Sequence, residues 1–313
     1  MEEKNFVFIR HARGNHQKEF YLPENKKFLE DTVGTAADNP FIADTGLSIE
    51  GHEQATLFGN YFRLIGEDQR YQNVFCSPIR RCIETCDHIV KEKNVILDDL
   101  LMEVNTIQHC NNKHTKEYLE KFLLVKSNRY NLDNIHNDYN PDRFTVLKVH
   151  NKSEYKDFEK TLQGNLQEIF GTFVDRVATI EESGEKKIEI TEVIALHRIY
   201  QFIEKIFVSS ISNPLVFTHG EWIQCLSKLY LGKTITRPLN CEVFKLTLRR
   251  LEPMLVKAIN DAVKFINESL ERRISQIREE EKTMSLRRTN LVTQTDYFKK
   301  YLKYKKRYLK IEN

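Results

Sequence analysis

Along the chain, short uninterrupted apolar runs alternate with longer stretches in which apolar positions recur every three or four residues. Phe6 to Ile9 is such a run, and it ends in Arg10-His11. This is the pattern of a buried strand, whose carboxyl end is where an open α/β sheet binds its ligands. Val74 to Cys76, Val95 to Leu97, Pro214 to Thr218 and Phe244 to Leu248 repeat the form, and the fourth again delivers a histidine, His219. Between these runs, Ser48 is placed to cap a helix with Gly51 in its first turn and Ala55, Phe58, Tyr61 and Phe62 at helical spacing. Ser77-Pro78 opens another helix carrying Arg81, Cys82, Thr85 and Ile89, with Pro78 expected in the first turn, where a missing N–H is harmless. Leu162 to Ile180 and Ile194 to Phe207 also have helical periodicity. The alternation of strand and helix predicts an α/β layered sheet.

The remaining stretches interrupt this rhythm. Gly14 to Thr45 is polar and reads as a long loop with one short helix, closed by Asp44-Thr45-Gly46. Asn111 to Pro141 is Asn-rich and reads as an insertion or cap over the sheet, not as core. From Leu255 through Ile259, Ala262, Ile266, Leu270, Ile274 and Ile277, apolar residues step by three or four through charged neighbours, which predicts an amphipathic helix with a possible coiled-coil seam.

Composition places the chain among folded proteins: of 313 residues, 40% are hydrophobic and 30% charged, with 19 Phe and 13 Tyr. With no apolar run long enough to span a bilayer and no signal-peptide pattern at Met1-Glu2-Glu3-Lys4, the expected location is cytoplasmic. Six scattered cysteines then read as reduced thiols, and Cys82 with Cys86 makes a poor zinc site. No metal and no cofactor is expected. The net charge of +3 is uneven, because residues 297–313 carry seven Lys and Arg against Glu312. There Tyr297, Tyr301, Tyr304 and Tyr308 fall at helical spacing among lysines, a stripe suited to RNA, an anionic membrane surface or an acidic partner. Packing of that stripe on the body, or on a second copy in a homo-oligomer, is the competing expectation.

Phosphoryl transfer needs a positioned nucleophile, concentrated positive charge around the equatorial oxygens and a proton for the leaving group. No Gly-x-x-x-x-Gly-Lys run is present, so the charge falls to side chains, and Arg10 and Arg81 can supply it bidentately. Arg10-His11-Ala12-Arg13-Gly14-Asn15-His16-Gln17 resembles the Arg-His-Gly signature of the histidine phosphatase (phosphoglycerate mutase-like) superfamily. Leu47-Ser48-Ile49-Glu50-Gly51-His52-Glu53-Gln54-Ala55 resembles its Leu-Thr-x-x-Gly-x-x-Gln-Ala helix start, and Cys76-Ser77-Pro78-Ile79-Arg80-Arg81-Cys82-Ile83-Glu84-Thr85 its Ser-Pro-Leu-x-Arg-x-x-Gln-Thr segment. Thr218-His219-Gly220 resembles its second histidine motif. Four such segments in family order span residues 5 to 248. Glu103 with Cys110, and Asn240-Cys241-Glu242, look like its group of broad phosphatases. The Tyr/Lys tail resembles those of large DNA virus proteins, which implies a viral origin and a place in host cytoplasm or virion.

The resemblance implies a three-layer α/β/α sandwich with a mostly parallel sheet over residues 1–250, including a cap at about 104–190, and a helical, basic extension over 251–313. It implies a phosphatase in which His11 attacks phosphorus, Glu103 gives the leaving oxygen its proton, and Arg10, Gln17, Arg81 and a charged His219 hold the phosphoryl group of a small phosphorylated substrate. Glu221 is the rival acid. His16 is a weaker candidate for substrate contact, and Arg80 reads as a solvated neighbour of Arg81. Gln17 stands where the family has Asn, Ala12 where Gly is usual, and Glu84 where Gln is common, which puts a negative charge near an anion site. A phosphoglycerate mutase is the nearer alternative, and a catalytically inactive binding module the more distant one.

Overall fold

The computed structural model describes residues 2–19, 44–104, 111, 113–124, 129–136, 146–149, 179–182, 185–189 and 191–264, with single helical residues at 268, 275 and 279. Its main sheet has six strands: β1 (Glu3–Arg10), β2 (Val74–Cys76), β3 (Val95–Asp98), β4 (Tyr130–Asn134), β8 (Leu215–Thr218) and β9 (Val243–Arg249), in the spatial order β4-β3-β2-β8-β1-β9. All neighbours pair in parallel except β9, which runs antiparallel to β1 along the edge. The carboxyl ends of five strands therefore open on one rim. A separate antiparallel sheet contains β5 (Val146–Val149), β6 (Thr179–Glu182) and β7 (Glu185–Glu189), in the order β5-β7-β6.

Strand alternation sorts the core into two layers. On one face Phe6, Phe8, Phe75 and Val216 pack against Ala195, Ile199, Phe202 and Ile206 of α5 (Thr191–Val208) and Trp222, Ile223 and Leu226 of α6 (Gly220–Leu231). On the other, Val7, Ile9, Val74, Cys76, Leu215 and Phe217 meet Phe62 of α2 (Ile49–Leu64), Ile83, Cys86 and Ile89 of α3 (Arg80–Ile89), and Leu119 and Leu123 of α4 (Lys116–Leu124). Helices on both faces of a mostly parallel sheet make the expected α/β/α sandwich.

Several expectations need correction. Pro78 lies outside α3, because Ile79 in extended conformation is the N-cap and its carbonyl accepts from Cys82 and Ile83. Part of the Asn-rich stretch is core and not cap: α4 buries Leu119 and Leu123, and β4 adds an edge strand parallel to β3. Their few apolar residues occupy the inward positions, so a polar average hid a periodic face. Thr179 and Ile180, expected at the end of a helix, lie in β6; residues 162–178 fall outside the described residues, as do Cys110 and the 297–313 tail. Residues 253–264 are helical, as the stepping from Leu255 predicts, but Ile259 packs into the first core layer. The first compact unit accordingly runs over Met1–Val263, past the expected boundary at 250; a second spans Lys264–Asn313. Among the described residues, no helix is long and apolar enough to cross a membrane.

Candidate active site

The parallel pairing of β1 with β8 brings Arg10 beside Thr218, so the residues that follow each strand, His11 and His219, emerge side by side. Their ring centroids are 5.1 Å apart, and both are buried. Arg81, in the first turn of α3 and only 1% exposed, lies between them. Its Nε donates to Nε2 of His11 at 3.1 Å, and its Nη2 donates to Nδ1 of His219 at 3.0 Å and to Oδ1 of Asn111 at 2.6 Å.

These partners fix the protonation of both rings. A guanidinium can only donate, so Nε2 of His11 and Nδ1 of His219 carry lone pairs. The proton of His11 sits on Nδ1, which donates to the Ala12 carbonyl at 2.6 Å. That of His219 sits on Nε2, which donates to Oγ of Ser77 at 2.8 Å. Burial first, and the positive charge of Arg81 next, hold both histidines well below their ordinary pKa. With Arg81 as the partner of its Nδ1, His219 is neutral, and its charged form needs an anion beside it.

His16 enters the same pocket from α1 (Asn15–Glu19), with its ring centroid 6.2 Å from that of His11 and its Nδ1 3.1 Å from Thr45 Oγ1. Desolvation, then Arg81, push it down to about 2. For His11, His16 and His219, the folded-state pKa lies below the unfolded value near 6.5. Their stabilising share is therefore present above that pH and lost as pH falls, at roughly 1.4 kcal/mol per pH unit for each. Asp44 opposes them: burial raises its carboxyl to about 7, so it stabilises the fold as pH falls from 7 toward 4. Between pH 7 and pH 5.5 these four groups together lose about 2 kcal/mol of stability, or roughly 4–8 °C in melting temperature. Thermal unfolding followed between pH 7 and pH 5.5 checks this, and a flat profile would contradict neutral buried histidines.

The motif residues outside the pocket hold its loops. Ser48 caps α2 by accepting from Gly51 N at 3.1 Å. A side chain at Gly51 would put Cβ 2.0 Å from the Arg13 carbonyl, so only glycine lets α2 approach the loop after β1 this closely. Gln54 accepts from Arg13 N at 3.2 Å and donates to the Asn240 carbonyl at 3.2 Å. Asn240 donates in turn to the His11 carbonyl at 2.8 Å. Thr85 accepts from Ala12 N at 2.9 Å.

Arg10 is 6% exposed, and its Nη1 donates to the Pro238 carbonyl while its Nε has no hydrogen-bond partner. Burial, then the neighbouring Arg237, lower it to about 10. Glu103 follows β3 through the 3₁₀ turn Asp99–Leu101. Its Oε1 accepts from Val104 N at 2.9 Å and Trp222 N at 3.2 Å, and its Oε2 stands 4.0 Å from Nδ1 of His219. The buried Arg198 clamps this loop by donating to the Met102 and Glu103 carbonyls, each at 2.9 Å.

Glu221 is half-buried in the first turn of α6 with Arg237 at 3.7 Å. Gln17 turns its amide oxygen to Gly14 N at 3.0 Å, which steadies the loop after β1. Leu47 N and Arg80 Nε engage the two oxygens of Glu84 at 2.6 and 2.7 Å. Asn111, Arg198 and Arg237 were not singled out in the sequence. Only Arg198 left a signal, as a cation on the same helical face as Ala195, Ile199 and Phe202.

Two histidines at the ends of adjacent parallel strands are thus bridged by one arginine of α3, in a buried pocket rich in guanidinium. Residues 41–136 match the family described as Histidine phosphatase superfamily (branch 1). Solved structures similar to it include a phosphoglycerate mutase from Bacillus anthracis, 14% identical, covering 83% of this chain and 97% of that one at a TM-score of 0.42. A mycobacterial glucosyl-3-phosphoglycerate phosphatase is 12% identical, with coverages of 79% and 91% and a TM-score of 0.41. A phosphoserine phosphatase from Entamoeba histolytica is 14% identical, with coverages of 80% and 98% and a TM-score of 0.39. No curated protein matches the chain in sequence.

Proposed function

We propose that this protein is a phosphomonoester hydrolase that works through a phosphohistidine at His11 and needs no metal ion. The observation that carries the reading is the tautomer of His11: with Nδ1–H committed to the Ala12 carbonyl, the lone pair of Nε2 points into a pocket lined by guanidinium. A neutral imidazole fixed in this way is a competent nucleophile, and Arg10 and Arg81 supply the charge that phosphoryl transfer requires.

A phosphomonoester dianion entering the pocket displaces Arg81 from Nε2 and takes its donors, together with the unpartnered Nε of Arg10. Nε2 then forms its bond to phosphorus as the ester P–O bond breaks, and the leaving oxygen takes the proton of Glu103. In the second step water attacks phosphorus, Glu103 accepts its proton, and the N–P bond breaks to release phosphate. Glu103 suits the role better than Glu221 because it is buried beside His219, whereas Glu221 sits nearer the solvent. The bound dianion also favours protonation of His219, turning it from acceptor to donor.

Turnover of 4-nitrophenyl phosphate with a chelator present tests this reading, coupled to rapid quench and mapping of the phosphoenzyme. The expected result is chelator-insensitive hydrolysis with acid-labile, alkali-stable phosphate on His11. Loss of activity on chelation, or phosphate on a hydroxyl residue, would overturn it.

A further inference from the structure

Arg237 reaches the site from the segment after α6, outside the strands that deliver the reacting groups. Its side chain is 48% exposed, and its guanidinium contacts two carboxylates: Nη2 lies 3.8 Å from Oε2 of Glu103 and Nη1 3.7 Å from Oε1 of Glu221. Both separations exceed hydrogen-bond length, so these two contacts are held by charge alone and at the edge of water, which is a weak hold. The same guanidinium packs over Gly220 beside Arg10. A Cβ added there would lie 2.8 Å from Nε of Arg237 and 3.1 Å from Nε of Arg10. Two like charges thus share one glycine, and the buried member of the pair has an Nε with no acceptor. Such a pair persists only with anions about it.

The proposed reaction removes one of those anions. Glu103 must carry a proton to serve as the acid, and the transferring phosphoryl group engages Arg10 and Arg81. Arg237 then keeps Glu221 as its acidic contact, on the side from which the leaving group is protonated. Its long, half-exposed arm can exchange that loose contact for a bidentate one. We infer that Arg237 recognises a second anionic group, a carboxylate or phosphate, on the leaving part of the substrate, so that the preferred substrates are phosphomonoesters of acidic alcohols. This rests on the hydrolase reading above, since it takes Glu103 to be the proton donor.

The test compares two probes of the same shape, 4-carboxyphenyl phosphate and 4-carbamoylphenyl phosphate, on the full chain. Wild type is expected to favour the carboxylate at least tenfold in kcat/KM. Arg237→Gln brings that ratio close to one, and Arg237→Lys, which keeps the charge but not the fork, leaves an intermediate preference. Equal use of the two probes by wild type, or a preference that survives in both variants, overturns the assignment. If neither probe is hydrolysed, the hydrolase reading fails instead. Calorimetric binding of the same two probes to wild type and Arg237→Gln then decides the role of Arg237 without any chemistry.

Discussion

Replacing His11 with alanine is expected to lower the turnover of an aryl phosphate by about 10⁴-fold or more, leaving the fold in place. The size follows from the role, because with the Nε2 lone pair gone there is no covalent route and only water remains to attack phosphorus. Retention of structure follows from the contacts. The strand-end backbone around His11 is held by its own N–H to the Thr218 carbonyl at 3.0 Å and by Asn240 on its carbonyl, and neither bond uses the ring. Steady-state kinetics and circular dichroism on the same preparation check both halves. A His11→Ala protein that is folded and keeps more than a few per cent of wild-type kcat would show that the nucleophile lies elsewhere.

Glu103→Gln should separate substrates by their leaving groups. An alkyl phosphate needs its departing oxygen protonated, and losing a positioned general acid lowers that rate by roughly 10²- to 10⁴-fold. For 4-nitrophenyl phosphate, whose leaving group departs as a stable anion, the loss should be at least ten times smaller. The glutamine amide can still accept from Val104 N and Trp222 N, so the loop clamped by Arg198 is expected to keep its place. Measuring kcat on both substrate types for Glu103→Gln and Glu221→Gln assigns the acid. The opposite pattern, with Glu221→Gln showing the leaving-group dependence, would transfer the role to Glu221.

Five of the six strands of the main sheet were readable because buried strands are continuous apolar runs, and Phe6 to Ile9 or Pro214 to Thr218 has no competing pattern. The two histidines were readable because each follows such a run directly. By contrast, α4 and β4 were missed: Leu119, Leu123 and Ile135 sit among Asn, Lys and Glu, and their inward spacing is diluted by a solvated outer face. The helix after His219 was passed over although Trp222, Ile223, Leu226 and Leu229 recur at helical spacing. Its first residues belong to the histidine motif and drew the reading toward chemistry. Asn111 and Arg237 could not be found from sequence, since Asn111 stands 30 positions from Arg81, and Arg237 more than 100 from Glu103. Nor does a sequence show that Arg80 and Leu47 claim the oxygens of Glu84.

The position of β1 within the sheet has a consequence for the order in which the molecule is built. Its two neighbours are β8 and β9, both formed by residues beyond 214, so β1 is synthesised well before either strand that flanks it. Until Leu215 to Thr218 has emerged, the segment bearing His11 has neither a parallel partner nor the Thr218 carbonyl that accepts from its backbone. Closing that long-range pairing comes late in folding. A nascent or truncated chain therefore lacks the assembled His11–His219 pair, which comes into being only as the sheet is completed around β1.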